Sequence, residues 1–320
     1  MHDLVHPSLD DIRSAASRIK NYIHETPVLQ SEFINELSQS ELFFKCENFQ
    51  KAGAFKSRGA MNAILTLGKE ELKQGVATHS SGNHAQALAR AAKIAGTKAF
   101  IVMPDNAPKV KVAAVEQYHG EIFFCEPTLE ARESKLQQVI EQTGATLIHP
   151  YNDYRVITGQ ATACLELNRQ TPKLDLVLCP VGGGGLLSGT ALALHYLSPK
   201  TKLVACEPQG ADDAQRSFRS GILVPSINPH TIADGLLTSL GSLTFPIIMK
   251  YVHDIITVDD EAIKTAMKYV WERMKIIIEP SAAVPLAVAL SGKIDLKGLK
   301  VGIIISGGNV DITNLPWKKI

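Results

Sequence analysis

The chain has 320 residues, 45% of them hydrophobic, and 33 basic against 32 acidic side chains leave a formal charge of +1. That length allows about two domains of roughly 150 residues and a substantial core. The charge balance gives no basic excess to hold nucleic acid and no polybasic tail for a membrane, and no apolar run approaches the roughly 18 residues of a membrane span.

Residues 1–7 lack a charged region followed by an apolar core, so no secretory signal is read there. Ser8 opens an apolar-periodic stretch that predicts an N-terminal helix to Ile19. Thr26-Pro27-Val28-Leu29 reads as a turn or short extended piece, and Leu42-Phe43-Phe44 as a strand. A glycine-bearing turn at Gly53 follows, then a helix from about Ser57 that Gly68 should stop. From Gly75 onward, strands at 76–78, 98–102, 122–124 and 146–148 alternate with helices at 85–92, 109–118 and 129–141, which predicts a small parallel sheet with covering helices. Beyond it the pattern gives helices at 156–168, 186–197, 260–274 and 282–290, and strands at 174–179, 202–205, 255–258 and 301–305. The expected fold class is α/β, with two α/β domains, parallel-rich sheets and an active site in the cleft between them. Cys46, Cys125, Cys164, Cys179 and Cys206 form no Cys-x-x-Cys pair and read as buried thiols in a reducing, cytoplasmic compartment.

Four junctions carry chemistry. Lys56 falls just before a helix start, where the helix dipole disfavours a cation; Phe55 offers an apolar neighbour and Arg58 a like charge. All three would lower the amine's pKa and make it a nucleophile; the plain alternative is an exposed lysine on a basic helix start. Gly182, Gly183, Gly184 and Gly185 join a buried strand to a helix, and four glycines in a row are hard to explain by packing alone, so a phosphate cradle of backbone N–H groups is read there, with a mobile loop as the alternative. The spacing matches neither the dinucleotide fingerprint nor a nucleotide P-loop. Ser80-Ser81-Gly82-Asn83-His84 offers hydroxyls, an amide and N–H groups to a carboxylate, unless Asn83 is merely a helix cap. Ser306-Gly307-Gly308-Asn309 sets a hydroxyl just past a strand end, unless it is merely a turn. Glu207, Asp212 and Asp213 cluster at another strand end, where oxygen ligands suit Mg²⁺ or Ca²⁺ and solvated acids are the alternative.

These segments, in this order, resemble the fold-type II pyridoxal-phosphate enzymes, whose fold is tryptophan-synthase-β-like, and most of all their serine racemase and serine/threonine dehydratase group. The resemblance runs over nearly the whole chain. It implies pyridoxal 5'-phosphate as cofactor, a large cofactor-binding domain of residues 1–74 and 152–320, and a small domain of residues 75–151. It implies that Lys56 is the Schiff-base lysine beside Phe55, and that Gly182, Gly183, Gly184, Gly185 and Leu186 hold the phosphate. Asn83 would bond the ring hydroxyl and Ser306 would face the pyridine nitrogen. A neutral serine there keeps that nitrogen unprotonated and suits loss of a β-hydroxyl. Ser80, Ser81, Asn83 and His84 would hold the substrate carboxylate. Glu207, the Ala211 carbonyl and Asp213 would hold a divalent cation, Mg²⁺, Ca²⁺ or Mn²⁺.

The implied activity is racemisation of L-serine to D-serine, with Lys56 and Ser81 as the acid–base pair on opposite faces of the α-carbon, accompanied by β-elimination of serine or threonine to a 2-oxo acid and ammonia. Two dehydratase alternatives stand beside it: one for threonine and serine without racemisation, and one for threo-3-hydroxyaspartate, with Arg132 or Arg155 meeting the second carboxylate. A non-catalytic phosphate-ligand binding protein is the alternative of another class. A small-molecule amino-acid substrate and a homodimer are expected, without nucleic acid or membrane. Some racemases of this group are activated by a nucleotide held near hydroxyl residues and a lysine; Lys51 matches that lysine, but Glu32 and Ala52 stand where the resemblance would put hydroxyls, which argues against ATP activation.

Overall fold

The computed structural model describes residues 6–80, 82–107 and 109–317. Among these residues ten strands form two sheets: β1 (Val28–Leu29), β2 (Glu41–Cys46), β3 (Val76–His79), β4 (Ala99–Pro104), β5 (Glu121–Cys125), β6 (Thr146–Leu147), β7 (Leu176–Pro180), β8 (Lys202–Pro208), β9 (Asp254–Val258) and β10 (Lys300–Ile305). The six-stranded sheet has the order β1-β2-β10-β7-β8-β9 and the four-stranded sheet the order β5-β4-β3-β6. Every pairing is parallel except β1 with β2. The expected α/β class is therefore what the chain adopts.

Alternating side chains of the central strands feed two cores, as the period of two requires. Leu42, Phe44, Leu176, Leu178, Ile303 and Ile305 enter one core beneath the Pro280–Leu290 helix. Phe43, Val177, Cys179 and Ile304 enter the other, against the Tyr154–Gln170 and Gly185–Leu197 helices. Such runs, apolar on both faces, are what a buried parallel sheet demands.

Chain order reverses between β7 and β10, so the carboxyl ends of β2, β10 and β7 open side by side at a topological switch point. The three connections leaving those ends lead to Lys56, Ser306 and the four glycines. The connection leaving β3 leads into the helix that starts with Asn83 and His84.

Most predicted elements are present, with shifts of a few residues at their ends. The N-terminal helix is Leu9–Ile19, closed by a Ser8–Asp11 capping box. Gly68 is a correction: the preceding helix ends at Leu65, and Gly68 instead starts the helix Lys69–Gln74, with Glu71 reaching back to its N–H at 2.8 Å. The helices Glu32–Ser38, Asp213–Ser220 and Thr244–Tyr251 are additions to the expected set. No described helix is long and apolar enough to cross a membrane.

Candidate active site

Lys56 is the first residue of the helix Lys56–Leu65. Its amine donates to the Pro150 carbonyl at 2.8 Å and lies 5.1 Å from the centre of the Phe55 ring. Burial lowers its pKa to about 8, and Glu279 opposes part of that shift. Arg58, expected to help, does not face the amine. Its guanidinium is fully buried between Glu47 and Glu166, with contacts of 2.7 Å to each. Lys45 meets Glu166 at 2.6 Å in the same cluster. Arg58 thus fixes the lysine's helix to the turn just past β2 and to the Tyr154–Gln170 helix, and desolvation alone does the lowering.

The turn after β10 is woven into the loop before Lys56. Phe55 N–H donates to the Ser306 carbonyl at 3.0 Å, Gly308 N–H to the Gly53 carbonyl at 2.9 Å, and the Asn309 amide to the Ala52 carbonyl at 2.8 Å. Gly53 has φ +69°, and Asn309 fills the space that a Cβ there would need. Ser306 is buried at this junction.

Asn83 is not a cap. It is the first residue of the helix Asn83–Ala95 after the N-cap Gly82. Its side-chain amide donates to Glu279 at 2.8 Å and accepts from Asn309 at 2.9 Å. His84 is buried, with Nε2 3.1 Å from the Ile148 carbonyl and Nδ1 without a hydrogen-bond partner. Ser80 follows the last residue of β3, its hydroxyl accepting from Gly82 N–H at 3.2 Å. Ser81 lies outside the described residues.

Glu279 escaped the sequence reading. It is buried at the start of the Pro280–Leu290 helix, bonded to Asn83 and packed against Gly307. Burial and Asp234 push its pKa up to about 8. The available signal was an acid between an isoleucine run and a helix-starting proline.

The glycine loop requires a correction of reasoning. All four positions are demanded by protein neighbours. A Cβ on Gly182 would come 2.9 Å from Leu236 Cα; on Gly183 it would lie inside the Tyr151 ring; on Gly185 it would come 2.9 Å from Tyr151 Cβ. Gly184 has φ +87° and abuts Thr244, whose hydroxyl bonds the Gly183 carbonyl at 2.9 Å. Packing therefore accounts for the glycines. What points to an anion is the helix start itself: Ser188 N–H closes on the Gly184 carbonyl at 2.8 Å, leaving the first-turn N–H groups from Gly185 free. The loop is also close to the amine, because Pro150 accepts from Lys56 while its neighbour Tyr151 packs on Gly183 and Gly185.

Around the acids, Glu207 accepts from Ala214 and Gln215 N–H at 2.8 and 2.9 Å, and burial raises it to about 8. Asp213 is 1% exposed, neither oxygen meets a partner at hydrogen-bond distance among the described residues, and burial raises it to about 6 against weaker pulls from Ser226 and its own backbone N–H. Ala211 is buried beside them in sequence. Among the described residues no group of three or more His, Cys, Asp or Glu side chains forms a metal cluster. The expected set is smaller, two carboxylates and a carbonyl. The orphaned Asp213 carboxylate is the kind of group a cation would satisfy.

The residues present fit pyridoxal phosphate: a free N–H array for the phosphate, a half-buried amine of lowered pKa nearby, and an asparagine and serine at the remaining strand ends. A model of the family described as "Pyridoxal-phosphate dependent enzyme" matches residues 19–307. The serine racemase of Dictyostelium discoideum is 53% identical over 98% of this chain and 98% of that protein. The β-hydroxyaspartate dehydratase of Paracoccus denitrificans (strain Pd 1222) is 47% identical over 97% of this chain and 99% of that protein. The solved structure of maize serine racemase superposes with a TM-score of 0.95 at 47% identity, covering 97% of this chain and 95% of that one.

Proposed function

The chain belongs to the family of pyridoxal-phosphate dependent enzymes, and on that premise we propose that it is a serine racemase that also eliminates the β-hydroxyl of serine and threonine. The observation that carries this reading is a lysine amine of pKa about 8, bonded to Pro150, whose neighbour Tyr151 packs on the glycine loop. Likeness to serine racemases over nearly the whole chain supports the substrate.

Bound pyridoxal phosphate supplies an electron sink for the pair left when a bond to the α-carbon breaks. Lys56 would hold the cofactor covalently, Asn83 and Ser306 its ring, and Gly182, Gly183, Gly184, Gly185 and Leu186 its phosphate. Glu279 acts through Asn83, its Oε1 accepting from that amide and keeping it turned. Lys56, close to half neutral at pH 8, takes the α-proton on its face. Ser81 returns one on the other face for racemisation. Ser80 and His84 with Asn83 receive the substrate carboxylate. The two-sheet layout supports a division into residues 75–151 and the remainder, with the substrate entering between them. Glu207, Asp213 and the Ala211 carbonyl form a divalent-cation site, and the enzyme acts in the cytoplasm as a homodimer.

One observation favours a second reading, dehydration of threo-3-hydroxyaspartate. Arg155 is engaged by Asp153 at 2.7 Å and is not free for a second carboxylate. Arg132 has no ion pair among the described residues; its Nε donates to the Thr128 carbonyl at 3.2 Å, and its charge adds to burial in lowering His79. The test is one substrate panel, L-serine, L-threonine and threo-3-hydroxyaspartate, read for D-serine and for each 2-oxo acid. D-serine together with pyruvate from L-serine supports the first reading. Turnover of 3-hydroxyaspartate that is lost in Arg132→Ala, without D-serine, replaces it with the second.

A further inference from the structure

The loop between β6 and the Tyr154–Gln170 helix has no sheet ladder of its own, yet it presents the carbonyl that, among the described residues, bonds the Lys56 amine. Pro150 carries that carbonyl and has no N–H with which to anchor itself. The next two backbone donors, Tyr151 N–H and Asn152 N–H, both go to the same acceptor, His149 Nδ1, at 3.3 and 2.9 Å. An imidazole that accepts at Nδ1 is neutral and carries its proton on Nε2. The ring is wedged edge-on between Tyr151, at 4.6 Å between centroids, and His79, at 6.1 Å.

We propose that His149 is a positioning residue for Lys56: its Nδ1 gathers the Tyr151 and Asn152 N–H groups into a tight turn and so aims the Pro150 carbonyl at the reacting amine. Removing the acceptor leaves two N–H groups without a partner and lets the carbonyl turn away. The amine then loses the contact that fixes its direction whenever it is free. Misplacement of about 1 Å is enough to cost about a hundredfold in rate. The inference rests on Lys56 being the reactive amine.

The charged and titratable groups around the pair are few. Burial and then His79 and Lys56 disfavour a proton on His149, and Asp153 favours one. The charge of Glu279 favours a proton on the amine, whose own charge adds to burial in lowering His84. A carbonyl accepting from an ammonium favours the charged form, so loss of the Pro150 contact moves the Lys56 pKa below about 8.

Three variants test this. His149→Leu keeps the volume and removes the acceptor. His149→Asn keeps a side-chain acceptor able to serve N–H groups two or three residues on. Lys56→Ala tests the underlying assignment. In the holoenzyme, His149→Leu is expected to lower kcat for L-serine about a hundredfold, with KM within about threefold. The isotope effect for α-deuterated serine is expected to rise, and His149→Asn to stay within about fivefold of wild type. In the full chain without cofactor, the pH midpoint for labelling the Lys56 amine, read by peptide mass, is expected to fall in His149→Leu and to hold in His149→Asn. Equal losses in both variants with an unchanged midpoint would make His149 structural and overturn the proposal. So would wild-type kcat in His149→Leu. Should the leucine variant lose its fold by circular dichroism, His149→Ala with added imidazole decides: restored turnover supports the proposal, and no restoration overturns it. Turnover retained by Lys56→Ala would instead overturn the functional assignment itself.

Discussion

At the scale of single residues, the site depends on groups held away from their ordinary protonation. An amine with pKa about 8 is roughly a tenth neutral at pH 7, against well under a thousandth for an ordinary lysine. Lys56→Ala is expected to lower turnover by at least about 10²–10⁴-fold, measured as pyruvate and D-serine formation. Asp213 gives a stability prediction with a definite sign. Its pKa is raised from 3.8 to about 6, so its contribution is fully present below pH about 4 and is lost as pH rises through 6. In chelator-treated protein at pH 7.5, Asp213→Asn is therefore expected to be more stable than wild type by about 1–2 kcal/mol, with little difference at pH 4. Added Mg²⁺ is expected to raise the wild-type Tm and to leave that of the variant unchanged. A variant less stable than wild type without metal would contradict the reading of an unsatisfied carboxylate.

At the scale of elements, the helix bearing Lys56 is tied down by a buried ion cluster and the glycine loop by an aromatic ring. Arg58 balances Glu47 and Glu166, all three drawn from different elements. Arg58→Met leaves those carboxylates with only Lys45 and Thr26, and is expected to lower unfolding free energy in urea by about 3–5 kcal/mol. For the loop, Gly183→Ala drives a methyl into the Tyr151 ring. Cofactor binding by this variant, followed by visible absorbance, is expected to weaken and to be partly restored by a second change, Tyr151→Ala. The strand–turn–helix junctions that carry the site were legible because Gly, Ser and Asn fall where the hydrophobic period changes from two to 3.6. The reason for the glycines was not legible, because Tyr151 is over thirty residues away and meets them only in the folded chain. Gly68 misled for a related reason: the residue that stops one helix and the residue that caps the next look alike until Glu71 is seen reaching back.

At the scale of the whole molecule, the site lies where loops from both sheets meet, so its geometry depends on how the four-stranded layer is held against the six-stranded one. Lys111, on the Lys109–Gln117 helix beside β5, pairs with Asp234 in the segment against Gly182. The next residue, Gly235, donates to Ser281 at 2.9 Å, two positions from Glu279. A partly exposed pair is worth about 1 kcal/mol or less, enough to bias closure without locking it. Lys111→Asp or Asp234→Lys alone is expected to raise KM for L-serine up to about fivefold, and the double exchange to restore it. The α/β class and the alternation of strands and helices were legible because buried parallel strands read as continuous apolar runs. The convergence on Glu279 and on the 149–152 turn was not, since each joins segments more than sixty residues apart and carries no local period.

The central claim is that the amine at position 56 is the group joined to the cofactor. Borohydride reduction of the yellow holoenzyme, followed by peptide mass mapping, tests it most directly. The account requires the reduced pyridoxyl group on Lys56 and on no other lysine. Its recovery on a different lysine, or an absorbance unchanged in Lys56→Ala, would contradict the account.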